Sequence, residues 1–252
     1  MTKEKEKALN LLFTENKEDV NKNQDYKNNF KEYSLPVHYY LVEMYNKQKE
    51  LQKFLADKGK TCAFPELYTQ VKQSDVQLAI YHLFCMQVEK EELLAELDKC
   101  QSGDDEISAK YELIDMFFFM FNVGIYTGLD INKVFNNIVE DLVVIENTPY
   151  DHSFDKPLLE AINTSLTNYI DKLPWKAWKD YDYNTFYLKL GFTECYIYYA
   201  QAVLDLVKWA KRAFNQDLIS LYNFYMNKWE ENKRRQEDLT SGYVLNTTES
   251  IQ

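Results

Sequence analysis

The stretch YELIDMFFFMF, residues 111–121, decides the fold. It sets Glu112 and Asp115, three residues apart, at the mouth of a run of large apolar side chains. Residues at i and i+3 share a helix face, while the aromatic run around them leaves that helix no wide solvated side. The segment therefore predicts a helix packed on several sides. A carboxylate entering such a core loses its hydration. An isolated one costs several kcal/mol unless it is paired, protonated or metal-bound.

The preceding helical pattern carries a second pair of acids. Glu89 and Glu92 stand at i and i+3 in VEKEELLAEL, residues 88–97, and only the short QSGDDE loop (101–106) separates the two segments. If the two helices lie antiparallel, the four carboxylates converge. Without a cation they repel; with one or more Mg²⁺ they form the hard oxygen cage this ion prefers, completed by waters and phosphate oxygens. Glu91, Glu96 and Asp98 fall on other faces and read as solvated. Acids are common on helices, so spacing alone leaves a solvated helix pair as the alternative.

Composition agrees with helix. The chain has 252 residues, of which 20 are Tyr and 15 Phe, and only 6 Gly and 5 Pro supply turns. This much aromatic content excludes disorder throughout, and so few breakers disfavour a many-stranded sheet. The net charge of −11 argues against general binding to nucleic acid or anionic membranes. It leaves room for a small anionic substrate met by local cations. Cys62, Cys85, Cys100 and Cys195 show no metal or redox spacing, so free thiols in a reducing cytosol are expected. The N-terminus has no signal-type apolar region, and no apolar run is long enough to span a bilayer, which predicts a soluble cytoplasmic protein.

Residues 1–34 read as a polar arm, and 35–245 as one all-α domain followed by a tail, 246–252. Within the domain, a first helix follows Pro36 and stops at Gly59. A second opens on Ser74 or Asp75 and runs to Cys100. A third ends at Gly128, and a fourth, capped by Asp130, runs to residue 146. After the linker NTPYDHSFDKP (147–157) come a helix, a break, a long aromatic-rich helix and a final helix over 217–236. Two helical pairs of similar size predict a duplicated arrangement, 35–147 and 148–245.

ExxE, a loop, then ExxD before an apolar run resembles the motif set of the all-α nucleoside triphosphate pyrophosphohydrolases, the MazG-like enzymes and dimeric dUTPases among them. Three further stretches resemble the dimeric dUTPase branch. KQKELQKFL (47–55) is similar to a first-helix nucleoside motif at Gln48 and Leu51, with Gln52 where Asn or Asp is usual. NKWEENKRRQEDLTSGY (227–243) is similar to its C-terminal pattern at Lys228, Asn232, Arg235, Gln236, Gly242 and Tyr243. PWKAWK (174–179) is similar to its W-K-x-W-K segment. That segment falls here in the second half, where Ser165 and Asn168, then Gly191 and Glu194, replace the carboxylates. The second half thus resembles a degenerate copy, and Phe118 replaces a frequent His.

The resemblance covers about residues 38–245. It implies a homodimer, with no nucleic-acid or membrane partner, that hydrolyses dUTP or a related dNTP with Mg²⁺ or, as a substitute, Mn²⁺. It implies Glu89, Glu92, Glu112 and Asp115 as metal ligands and Glu89 or Glu92 as general base. Gln48, Gln52, Lys228, Asn232, Arg235 and Tyr243 are implied to bind substrate. Arg and Lys suit phosphate oxygens by fork geometry and point charge respectively, whereas a solvated basic helix end is the plainer account of the same residues. Trp175 and Trp178 read as core packing on a helix begun by Pro174. His38, His82 and His152 carry no assigned chemistry. A different base preference, of MazG-like or dCTPase type, and a non-catalytic helical interaction module are the other functions open to this sequence.

Overall fold

Gly59 and Gly128 each stop a helix by the same device, which explains two of the chain boundaries from the backbone upward. Both glycines have positive φ, 69° and 61°. The amide of Lys60 bonds back to Leu55 O and that of Gly59 to Ala56 O, both at 2.9 Å. Likewise Leu129 N bonds to Gly124 O at 3.0 Å and Gly128 N to Ile125 O at 3.1 Å. These paired bonds satisfy the last carbonyls of each helix and require a left-handed residue at the stop. The computed structural model describes residues 36–100, 106–176, 179–181 and 192–237.

The described residues form an all-α protein. Its helices are α1 (Tyr39–Asp57), α2 (Gln73–Cys100), α3 (Ile107–Tyr126), α4 (Ile131–Asn136), α5 (Val139–Glu146), α6 (Lys156–Asp171), α7 (Phe192–Phe214) and α8 (Leu218–Glu237). A single 3-10 turn, Tyr68–Gln70, precedes α2. Asp130 and Asp155 cap α4 and α6, accepting from Lys133 N and Leu158 N.

Three expectations are corrected. The helix expected over 130–146 is two, because it breaks at Asn137–Ile138; the Asn136–Asn137 pair competes with the helical ladder through its own side chains. α2 starts one residue before Ser74, and Asp75 accepts from Lys72 N at 2.7 Å as a third-position acid, rather than capping from outside. Pro174 begins no helix over the described residues 174–176. Trp175 instead donates Nε1–H to Asp171 Oδ1 at 3.2 Å and packs from irregular chain. The arm 1–34, the loop 101–105, Trp178, Gly191, Gly242, Tyr243 and the tail lie outside the described residues, as do the side chains of Glu194 and Cys195.

α3 is the axis of the bundle. It packs most extensively on α2 and also meets α1, α7 and α8. From Leu113 to Leu129 only Asp115 and Phe119 escape full burial. Burying each of Phe117, Phe121 and Tyr126 contributes roughly 1.5–3 kcal/mol, so this helix is the main apolar anchor. α6 and α7 form the second closely packed pair. The buried Lys90 ties the pairs together: it leaves α2 to meet Glu160 of α6 at 2.6 Å, with Glu91 at 3.2 Å. Among the described residues, no helix is long and apolar enough to cross a membrane.

Candidate functional site

Along the seam between α2 and α3, Glu89 hydrogen-bonds Glu112, and His82 meets Asn122. Three of the expected acids converge there. Glu89, Glu112 and Asp115 each offer a carboxylate oxygen, and these oxygens lie within 4.8 Å of one another. Glu92 is exposed and stands outside that triplet, near enough for its charge to act on all three. Glu91 bonds to Lys90, and Asp98 is exposed.

Crowding and burial show in the protonation of the cluster. Burial lifts Glu89 to about 7, helped by the charges of Asp115, Glu92 and Glu112 and opposed by Lys228. Burial likewise raises Glu112, which is hydrogen-bonded to Glu89. Asp115 is raised too, although Lys228 touches it, so loss of hydration outweighs the ion pair. Burial thus shifts both Glu89 and Glu112, which are hydrogen-bonded to each other, towards their protonated forms.

α8 supplies the basic side of the site. The Lys228 ammonium forms an ion pair with Asp115, donates to Tyr111 O at 2.8 Å and lies 5.3 Å above the Tyr111 ring. Arg235, two turns further on, pairs with Glu231, and its charge also acts on Asp115. Asn232 is half-buried between them. Two bonds pin this helix to α1: Trp229 donates Nε1–H to Lys47 O at 2.7 Å, and Tyr225 donates its hydroxyl to Gln48 Oε1 at 3.2 Å. Phe118, in the place of the frequent His, packs edge-on against Tyr225 with centroids 4.6 Å apart.

Gln48 and Gln52 are both buried and engaged within the protein. Gln48 donates to Asn122 Oδ1 at 2.9 Å while accepting from Tyr225, and Gln52 accepts from Tyr126 at 3.2 Å. Tyr126 in turn meets Thr61 at 2.7 Å. The network continues into a residue to which the sequence assigned no chemistry. His82 stacks on Tyr126 with centroids 5.1 Å apart and planes 17° from parallel, and its Nδ1 meets Asn122 Nδ2 at 3.4 Å. Burial lowers His82 to about 4, so its neutral ring accepts from Asn122 at Nδ1. The available signal was spacing: His82 is seven residues from Glu89 and Asn122 seven from Asp115, on the same helix faces.

Three half-buried carboxylates on rigid helices form a donor set suited to a hard divalent cation that retains open positions. The neighbouring ammonium and guanidinium groups suit phosphate oxygens, and the adjoining neutral network offers hydrogen-bond donors and acceptors rather than charge. No family model, curated protein or solved structure matches the sequence.

Proposed function

We propose that this protein is an all-α nucleoside triphosphate pyrophosphohydrolase that cleaves dUTP to dUMP and pyrophosphate with Mg²⁺, Mn²⁺ serving as a substitute. The observation that carries the proposal is the convergence of Glu89, Glu112 and Asp115 within 4.8 Å beside Lys228. Three half-buried acids brought together without a cation would be a standing cost to the fold. The base preference rests on the resemblance of Gln48, Asn232, Arg235 and Tyr243 to the dimeric dUTPase pattern.

Mg²⁺ held by the triplet would neutralise phosphate charge and lower the pKa of a bound water. In the reaction the water oxygen bonds to the α-phosphorus and the bond to the β-phosphate oxygen breaks, releasing pyrophosphate. Glu89, half-buried in the triplet, would receive the water proton. Lys228 and Arg235 meet the charge that accumulates on the leaving pyrophosphate. Glu92, exposed at the rim, supports the cluster through its charge. Glu92→Gln therefore costs about 10-fold to 30-fold in kcat, against at least ~10³-fold for Glu89→Gln, in steady-state assays of both variants.

The deciding experiment is a panel of dNTPs with Mg²⁺ and a pyrophosphate readout. Expected is dUTP turnover at least about tenfold above any other dNTP in kcat/KM. A different preferred base would select the MazG-like or dCTPase-type alternative. Absence of turnover, together with no calorimetric binding of Mg²⁺ and a non-hydrolysable dUTP analogue, would leave the interaction module.

Homodimerisation belongs to the same proposal. Tyr81, Phe84 and Val88 are exposed at helical spacing on α2, at 59%, 65% and 41%, on the helix that bears Glu89. A continuous apolar stripe of this kind is what a partner surface covers. Phe84→Asp is expected to shift the protein from dimer to monomer in light scattering. A dimer unchanged by that substitution places the interface elsewhere.

A further inference from the structure

The Lys228 ammonium occupies a carboxylate that the proposed function needs for a metal. It touches Asp115, takes the Tyr111 carbonyl at 2.8 Å and sits over the Tyr111 ring. A divalent cation on Asp115 would place two positive centres against one carboxylate, with little intervening water to screen them. The two cannot share it at full strength. The backbone of α8 gives no way out, because Tyr225 and Trp229, on either side of Lys228, fasten the helix to Gln48 and Lys47 O. What can move is the flexible four-carbon stem of the lysine itself.

We propose that Lys228 is a resident counter-ion which the metal displaces from Asp115 and which the substrate's phosphates then take up. Metal loading and phosphate capture are coupled through this one side chain. Without metal, Lys228 neutralises part of the acidic cluster and is withheld from anions. With metal bound, its ammonium is driven off Asp115 while staying tethered beside the site, free to meet a phosphate oxygen. The positional change is by side-chain torsion alone; α8 keeps its place on α1. Arg235, paired with Glu231 one helical face along, stands as a second withheld cation.

This inference rests on the triplet being a metal site, and its test separates the two. In the full-length protein, labelling of Lys228 by an amine-reactive ester is followed by mass spectrometry, and Mg²⁺ binding is followed by calorimetry. Expected is a several-fold rise in Lys228 labelling on adding Mg²⁺, reversed by adding a non-hydrolysable dUTP analogue. Lys228→Met is expected to bind Mg²⁺ roughly tenfold more tightly than wild type, because the competitor is gone, while binding the analogue more weakly. A purely structural lysine predicts the opposite sign for the metal, since its removal would loosen the site. If wild type binds Mg²⁺ but Lys228 labelling does not change, or Lys228→Met binds Mg²⁺ equally or less tightly, the exchange is overturned and the metal site stands. If wild type binds no Mg²⁺, both fall.

Discussion

Replacing Glu89 by Gln is expected to make the metal-free protein more stable and, if the proposed function holds, to remove its activity in the same step. Burial and the neighbouring acids lift the Glu89 carboxyl from 4.5 in the unfolded chain to about 7 in the folded one. Between those two values the folded state holds a proton that the unfolded state has released. Stability therefore falls as pH rises through this window, and the whole cost is present above about 7. The gap corresponds to a ceiling of about 3 kcal/mol, which solvent access to the half-buried group reduces to about 1–2 kcal/mol. Gln carries no such cost, and its amide can still donate to Glu112. Glu89→Gln is thus expected to raise Tm by roughly 3–6 °C at pH 8 and by nothing near pH 4.

In the proposed mechanism the same substitution removes the proton acceptor and one metal ligand, so turnover is expected to fall by at least ~10³-fold. Thermal unfolding with and without Mg²⁺ completes the test. If the triplet holds Mg²⁺, wild type is expected to gain stability as RT ln(1 + [Mg²⁺]/Kd) and the variant far less. A Glu89→Gln protein destabilised at pH 8 would show that Glu89 serves the fold rather than a site. The activity–stability opposition follows directly from where the acids sit. α3 brings Glu112 and Asp115 into partial burial because its other faces are apolar, and α2 meets it with Glu89 facing inwards.

Much of the fold is legible in the sequence, and the legible parts share a cause. Gly59 and Gly128 stop helices because a left-handed stop favours glycine, and Asp130 caps because a short acceptor reaches the third amide. The pairing of ExxE with ExxD follows from helical period and one short loop, both local quantities. What escaped was long-range. Lys228 and Asp115 are separated by 113 positions, and nothing local says that the ammonium rests on the acid. Gln48 reads as a ligand of a base, yet Asn122 and Tyr225 already occupy both ends of its amide. His82 and Asn122 each look like one polar residue on an apolar face until the antiparallel register sets them together. The break at Asn137–Ile138 was local but weak, a matter of two asparagines against strong apolar periodicity.

Gly124 sits too close to two buried rings to accept a β-carbon, and Gly124→Ala is expected to destabilise the protein by about 1–3 kcal/mol. Inside a helix this replacement ordinarily stabilises by up to about 1 kcal/mol, because alanine loses less backbone freedom. Here the added methyl would lie 2.8 Å from the Tyr199 hydroxyl, 3.0 Å from its ring carbon and 3.1 Å from a Tyr45 ring carbon. Tyr199 is fully buried and its hydroxyl donates to Met120 O at 3.0 Å, one turn before the glycine. Tyr45 is packed edge-on to Phe121. Both rings are buried, so relieving the contact calls for α7 or α1 to shift on α3. A double substitution isolates the cause. Tyr199→Phe removes the atom in closest conflict, so Gly124→Ala should cost measurably less in the Tyr199→Phe background than in wild type. Chemical denaturation of the four proteins in this cycle gives the coupling directly. Additive costs, or a stabilising Gly124→Ala, would mean that α3 and α7 stand further apart at this crossing than Gly124 and Tyr199 now place them.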